Sequence, residues 1–233
     1  MNHSLRFSSW VVACGVVAAG GAAQAGPIFL FNGPTGDAGP AVASKADGYT
    51  VTAHGFDVNG GDGSNTPHNL YFKNDPGLET GLGLVGTSDH ELTLSSDGDV
   101  PANAIQFDMR QIFQIFKGAK IRVTSTTETE AYDLYGSHTL GQLGSVIATG
   151  LGHSFNGVLV KIPEWGTFEY VGVAVHPDQD HPENNVLVGE IAAFDKVPAV
   201  PEPASALILT SGLVLGLGAR LFRKARARLQ HRS

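Results

Sequence analysis

The amino-acid sequence predicts an all-β protein built as an antiparallel β-sandwich, and three observations carry that reading. Runs of four to nine residues, apolar throughout or alternating apolar with polar, recur along the middle of the chain. Gly, Asn, Asp and Pro interrupt them at short intervals, and there is no internal repeat.

The strands are expected, in order, at Tyr49–Ala53, Glu91–Leu94, Ala104–Phe107, Lys120–Thr124, Ala131–Tyr135, Ser145–Ala148, Gly157–Ile162, Thr167–Val175 and Val186–Phe194. The first, second and fourth alternate, the signature of a strand with one wet face. The segment Met109–Lys117, with Ile112, Phe113, Ile115 and Phe116, fits either a buried strand or a short turn of helix. Nine strands parted by turn residues are what a sandwich requires. Residues 26–197, some 172 positions, are enough to bury a core in one domain.

Both ends of the chain are expected to be sorting segments. Residues 1–25 carry Arg6, an apolar stretch from Trp10 to Val17, and small residues ending Ala23-Gln24-Ala25. That is a charged, then apolar, then A-x-A pattern, so signal peptidase is expected to cut before Gly26. Val11-Val12-Ala13-Cys14 offers a competing lipidation site, but only a short apolar stretch precedes the cysteine and the run continues past it. Cys14 is the only cysteine, so cleavage at Gly26 leaves a mature protein with no thiol and no disulfide.

At the other end, residues 198–203 form a proline-rich spacer containing Pro201, Glu202 and Pro203. An apolar run from Ala204 to Ala219 follows, within an expected transmembrane helix over residues 204–222, then a basic tail over 223–233. Sixteen residues rise about 24 Å as a helix, just under a bilayer core of about 30 Å, so Arg220 must snorkel to the interface. Arg220, Arg223, Lys224 and Arg226, with Arg228 and Arg232 and no acidic residue, place the tail in the cytoplasm and the body outside.

The Pro-Glu-Pro motif, the short apolar helix and the Arg-rich end together resemble the PEP-CTERM sorting signal of exported bacterial proteins. That resemblance covers about 34 residues and implies recognition by an exosortase, cleavage near Pro201-Glu202-Pro203, and release or transfer to the cell surface. Two prolines bar the helix from extending through the motif and keep it extended just outside the bilayer. A looser resemblance joins Leu134-Tyr135-Gly136-Ser137 with Thr139–Gly144, and Asn74-Asp75 with Glu79–Leu84 and Asp89-His90-Glu91, to PEP-CTERM proteins with a jelly-roll-like sandwich. It implies a fold and names no ligand.

Charge narrows the partners. The stretch from Asp37 to Glu202 holds all 22 acidic residues but only 8 of the 15 basic ones, a net charge of −14 hidden inside the whole-chain −7. Such a surface repels nucleic acid and anionic lipid and tolerates divalent cations.

Catalytic motifs are missing from the sequence. There is no G-x-S-x-G elbow, H-E-x-x-H pair or phosphate-binding loop, so no catalytic residue is assigned and a non-enzymatic protein is expected. No cofactor is expected; Ca²⁺ is the one candidate, at Asp57, Asn59 and Asp62 in a glycine-rich loop of oxygen ligands. That loop misses the EF-hand register, because the third ligand, Asp62, falls one place late and no glutamate closes the loop. A second acidic loop, Asp75 to Glu79, would join Asp89 and Glu91 if the glycine-rich connection folds back. His176-Pro177-Asp178-Gln179-Asp180-His181-Pro182-Glu183 reads as an exposed hairpin tip, its prolines barring a helix that would align both histidines on a metal. Phe168 and Tyr170 read as core and Trp165 as the exposed ring.

The expectation is therefore an exported, surface-sorted, non-enzymatic protein of an extracellular matrix, held in the inner membrane before processing. Signal peptidase and an exosortase are its processing partners and exopolysaccharide its matrix partner. The alternatives are a Ca²⁺-stabilised carbohydrate-binding module and a polysaccharide-degrading enzyme.

Overall fold

A computed structural model describes residues 25–58, 65–75, 79–126, 129–178, 180–181 and 184–197. The sorting motif, the apolar run and basic tail, Ala23, Cys14, and Asn59 and Asp62 of the candidate Ca²⁺ loop lie outside the described residues. Among the described residues no helix is long and apolar enough to cross a membrane.

Fifteen strands make up the described body: β1 (Ala25–Leu30), β2 (Gly36–Gly39), β3 (Ala41–Ala46), β4 (Tyr49–Asp57), β5 (Thr66–His68), β6 (Leu70–Asn74), β7 (Thr80–Leu84), β8 (Leu92–Thr93), β9 (Asn103–Asp108), β10 (Phe116–Thr124), β11 (Ala131–Ser137), β12 (Ser145–Gly152), β13 (Leu159–Lys161), β14 (Tyr170–Val175) and β15 (Asn185–Lys196). All nine expected strands are present. β1, β2, β3, β5, β6 and β7 were not anticipated.

The strands form two antiparallel sheets that share one core, the arrangement of a β-sandwich. One sheet runs β13-β10-β15-β7-β6-β2, with β1 and β8 also on β15; the other runs β12-β11-β14-β9-β4-β3, with β5 also on β4. From β8 onward the chain crosses between sheets at almost every connection.

Side-chain alternation decides which face is dry. On β10, Ile121 and Val123 are fully buried while Arg122 between them and Thr124 after them face outward. On β4, Val51 and Ala53 fill the same core, and Phe29, Phe31 and Phe107 complete it from β1, its following residue and β9. Each such large side chain contributes roughly 1.5–3 kcal/mol by leaving water.

Three expectations are corrected or resolved here. The ambiguous Met109–Lys117 segment is a single turn, with Phe113 N–H donating to Met109 O at 2.9 Å and Phe116 N–H to Ile112 O at 3.0 Å, which then feeds directly into β10. It buries Met109 and Ile112 completely. The His176 loop is not a hairpin tip, because β14 and β15 belong to different sheets and the loop passes from one to the other. Trp165 is not an exposed ring: it is half-buried against the core and its Nε1–H donates to Phe116 O at 2.9 Å.

Candidate functional site

A cleft lies where β15 changes partner along one edge. Glu190 of β15 sits opposite Leu30 of β1, whereas Val188 sits opposite Leu82 of β7, leaving Gly189 at the junction. Phe31 N–H donates to Gly189 O at 3.1 Å and marks where β1 leaves the sheet. On the other edge, the register with β10 shifts between Arg122 and Val123, the residues opposite Glu190 and Val188. A bulge of this kind re-aims side chains and is common beside functional sites.

The result is a cleft of about 490 Å³ on the outer face of the eight-stranded sheet. Leu30, Phe31 and Asn32 line it from β1, Glu79 and Thr80 from β7, Arg122 to Thr126 from β10 and its exit except the inward Val123, Asn156 from the β12–β13 connection, and Gly189 and Glu190 from β15. Arg122 Nη2 pairs with Glu190 Oε1 at 3.0 Å directly across the two strands.

One wall is a buried ion cluster that centres on a lysine. Lys73 of β6 is 5% exposed, and its ammonium donates to Glu79 Oε2, to Asp89 Oδ2 at 2.5 Å and to Glu91 Oε1 at 2.7 Å. Ser125 Oγ donates to Glu79 Oε1 at 2.6 Å and to Glu91 Oε1 at 3.1 Å, tying the cluster to the end of β10. The second acidic loop of the sequence does fold back: oxygens of Glu79, Asp89 and Glu91 lie within 4.8 Å of one another, and the cation in contact with all three is the protein's own Lys73.

Alternation of glycine with leucine in Thr80-Gly81-Leu82-Gly83-Leu84 builds this wall. Leu82 and Leu84 point into the core at 0% exposure, and the glycines present bare backbone on the outer face. A Cβ at Gly83 would lie 1.9 Å from His90 O, and one at Gly81 would lie 3.0 Å from the Leu187 side chain. The segment carrying Asp89 to Glu91 therefore lies flat on β7, and the His90 ring stacks on Tyr71 of β6 at 3.8 Å. Holding it there requires backbone strain. Asp89, His90 and Ser125 all take positive φ, at 52°, 60° and 62°, a conformation that non-glycine residues rarely adopt and that clusters at sites a fold over-determines.

The electrostatics follow from burial and hydrogen bonding. Burial opposes the charged form of Lys73, but donation to Asp89, Glu79 and Glu91 outweighs it and holds the ammonium well above the usual lysine range. Burial likewise works against the Glu79 carboxylate, yet hydrogen bonds from Lys73 and Ser125 lower its pKa. Glu91, fully buried, is pushed up to about 7 by burial, with Lys73 pulling the other way. Its other oxygen, Oε2, has no hydrogen-bond partner among the described residues.

The remaining expected site residues are dispersed. Asp57, at the end of β4, is 2.6 Å from His68 Nδ1 on β5, so its carboxylate is already engaged. His176 Nδ1 lies 2.9 Å from Asp133 Oδ1 and His181 Nδ1 lies 2.9 Å from Asp178 Oδ2, each histidine with its own carboxylate. Tyr170 is buried under the Arg110 guanidinium, 5.4 Å from its ring centre, and Phe168 packs where a Cβ on Gly136 would go. Ala25 and Gly26, which flank the expected signal cleavage, open β1. Lys73, Arg122, Ser125 and Glu190 were not anticipated; a lone cation such as Lys73 after Phe72, or Arg122 between Ile121 and Val123, reads as the wet side of a strand and carries no spacing signal.

Compared in turn with family models, curated proteins and solved structures, the chain matches none.

Proposed function

We propose that this is an exported bacterial surface protein, processed at both ends and sorted by an exosortase into an exopolysaccharide-rich matrix, in which its jelly-roll-like sandwich serves as a non-enzymatic component. The observation that carries the reading is the C-terminal order of Pro201-Glu202-Pro203, apolar run and basic tail. The fold supports it: the strands run from Ala25 to Lys196, between the two expected sorting segments, and two sheets holding one core need no disulfide. The repeated crossing between sheets from β8 onward supports the jelly-roll-like description.

A polysaccharide-degrading activity is disfavoured at the carboxylate cluster of the cleft wall. Glu91 is fully buried and hydrogen-bonded to Lys73, so it has no route to a glycosidic oxygen. A Ca²⁺-stabilised module is disfavoured at the same place, because Lys73 supplies the cation. The sorting reading is tested by Glu202→Ala and by deletion of the basic tail. Both variants should accumulate as uncleaved precursor in the inner membrane; normal processing of both would overturn it.

A further inference from the structure

We infer that the cleft at Gly189 binds a neutral, polyhydroxylated ligand, a sugar residue of an uncharged glycan. This deepens the proposed function and rests on it only for the source of the ligand.

Four features of the lining carry the inference. A volume of about 490 Å³ falls in the range of small-molecule pockets and suits one or two sugar rings. Its charges are already paired within the protein, Arg122 Nη2 with Glu190 and Glu79 with Lys73, and the buried Nε–H of Arg122 has no partner among the described residues. An ionic ligand would have to break a pair to gain one, whereas hydroxyls can donate to the carboxylates and accept from the guanidinium without disturbing either. The lining also includes Thr126, whose buried hydroxyl has no partner among the described residues, together with the carboxamides of Asn32 and Asn156. Leu30, 48% exposed and opposite Glu190, supplies the apolar surface that the C–H face of a sugar ring needs.

Gly189 makes the inference testable without unfolding the protein. A Cβ there meets nothing closer than Thr124 Cγ2 at 3.7 Å, an ordinary contact, and its neighbours are lining residues, so a larger side chain fills the cleft rather than the core.

The experiment is saturation-transfer NMR on the full-length protein in detergent, with glucose, galactose, mannose, N-acetylglucosamine and a neutral dextran as probes. Glucuronate and putrescine serve as charged comparisons. Transfer to at least one neutral probe is expected, weakened about tenfold by Gly189→Leu and about fivefold by Leu30→Ser, both with unchanged circular dichroism. Signal from the monosaccharides alone identifies a free sugar as ligand, and signal from dextran as well identifies a glycan chain. No transfer to any neutral probe, transfer confined to a charged one, or binding untouched by Gly189→Leu would overturn the assignment. A protein that is sorted normally but binds no sugar fails here alone; one that binds sugar but is never cleaved fails the sorting reading alone.

Discussion

Replacing Lys73 with methionine tests whether the cluster holds the wall of the cleft. Methionine keeps the length of the side chain and removes the charge. The three ion pairs are unequal: the Asp89 side chain is 65% exposed, so its share is at most about 1 kcal/mol, whereas the Lys73 and Glu91 side chains are 6% and 1% exposed. Leaving a buried carboxyl without its partner costs about 3–5 kcal/mol, and that is the loss expected at pH 8. At pH 5 the loss should shrink, because Glu91 is then protonated in both proteins and has less need of a cation. Equilibrium urea unfolding reads the difference as a fall in midpoint at constant slope. A loss below about 1 kcal/mol at pH 8, or a larger loss at pH 5 than at pH 8, would refute the reasoning.

Other variants test the neighbouring parts. Glu91, with its pKa raised from 4.5 to about 7, gives stability that is full below 4.5 and lost as pH rises through 7. Glu91→Gln should therefore flatten the fall in stability between pH 5 and pH 8 by up to about 3 kcal/mol, and an unchanged slope in pH-dependent melting would contradict this. Gly83→Ala drives a methyl into His90 O and should cost about 3 kcal/mol or more, while Gly189→Ala should stay within about 0.5 kcal/mol; equal melting temperatures for the two would remove the distinction. Trp165→Phe leaves Phe116 O without its donor and should cost about 1–2 kcal/mol in chemical unfolding, with no loss meaning that the ring is not anchored there.

The strands that alternation exposes to a reader of the sequence are those with a large apolar residue at every second place, such as Lys120–Thr124, where Ile121 and Val123 face the core. The others lack that contrast for separate reasons. β3 is Ala-Val-Ala-Ser-Lys-Ala, an edge strand of small residues, and β5 contains Pro67, which only an edge tolerates. β7 reads as loop because two of its five residues are glycine, which lowers strand propensity when the chain is considered alone. In the fold Gly83 admits the overlying backbone of His90 and Gly81 packs close against Leu187 and Val188 of β15, so glycine here marks close packing as well as turns.

The candidate site was legible to the same degree and for the same reason. Acidic residues at Glu79, Asp89 and Glu91 are conspicuous in the sequence, which leaves open whether they meet or form a plain polar loop; in the fold their oxygens do meet. What no spacing displays is the cation between them, since Lys73 in Leu70–Asn74 looks like the wet side of a strand. In the fold Glu79 and the segment from Asp89 to Glu91 close over it. Arg122 and Glu190 are likewise 68 positions apart in the chain and meet only through the pairing of β10 with β15.

The proposed delivery of this sandwich outside the cell by cleavage at both ends is decided by the intact mass of the protein recovered from the cell surface and medium. The expected species begins at Gly26 and ends close to Pro201-Glu202-Pro203, without the apolar run and the basic tail. A mass that retains residues 204–233, or one that begins at a lipid-modified Cys14, would contradict it.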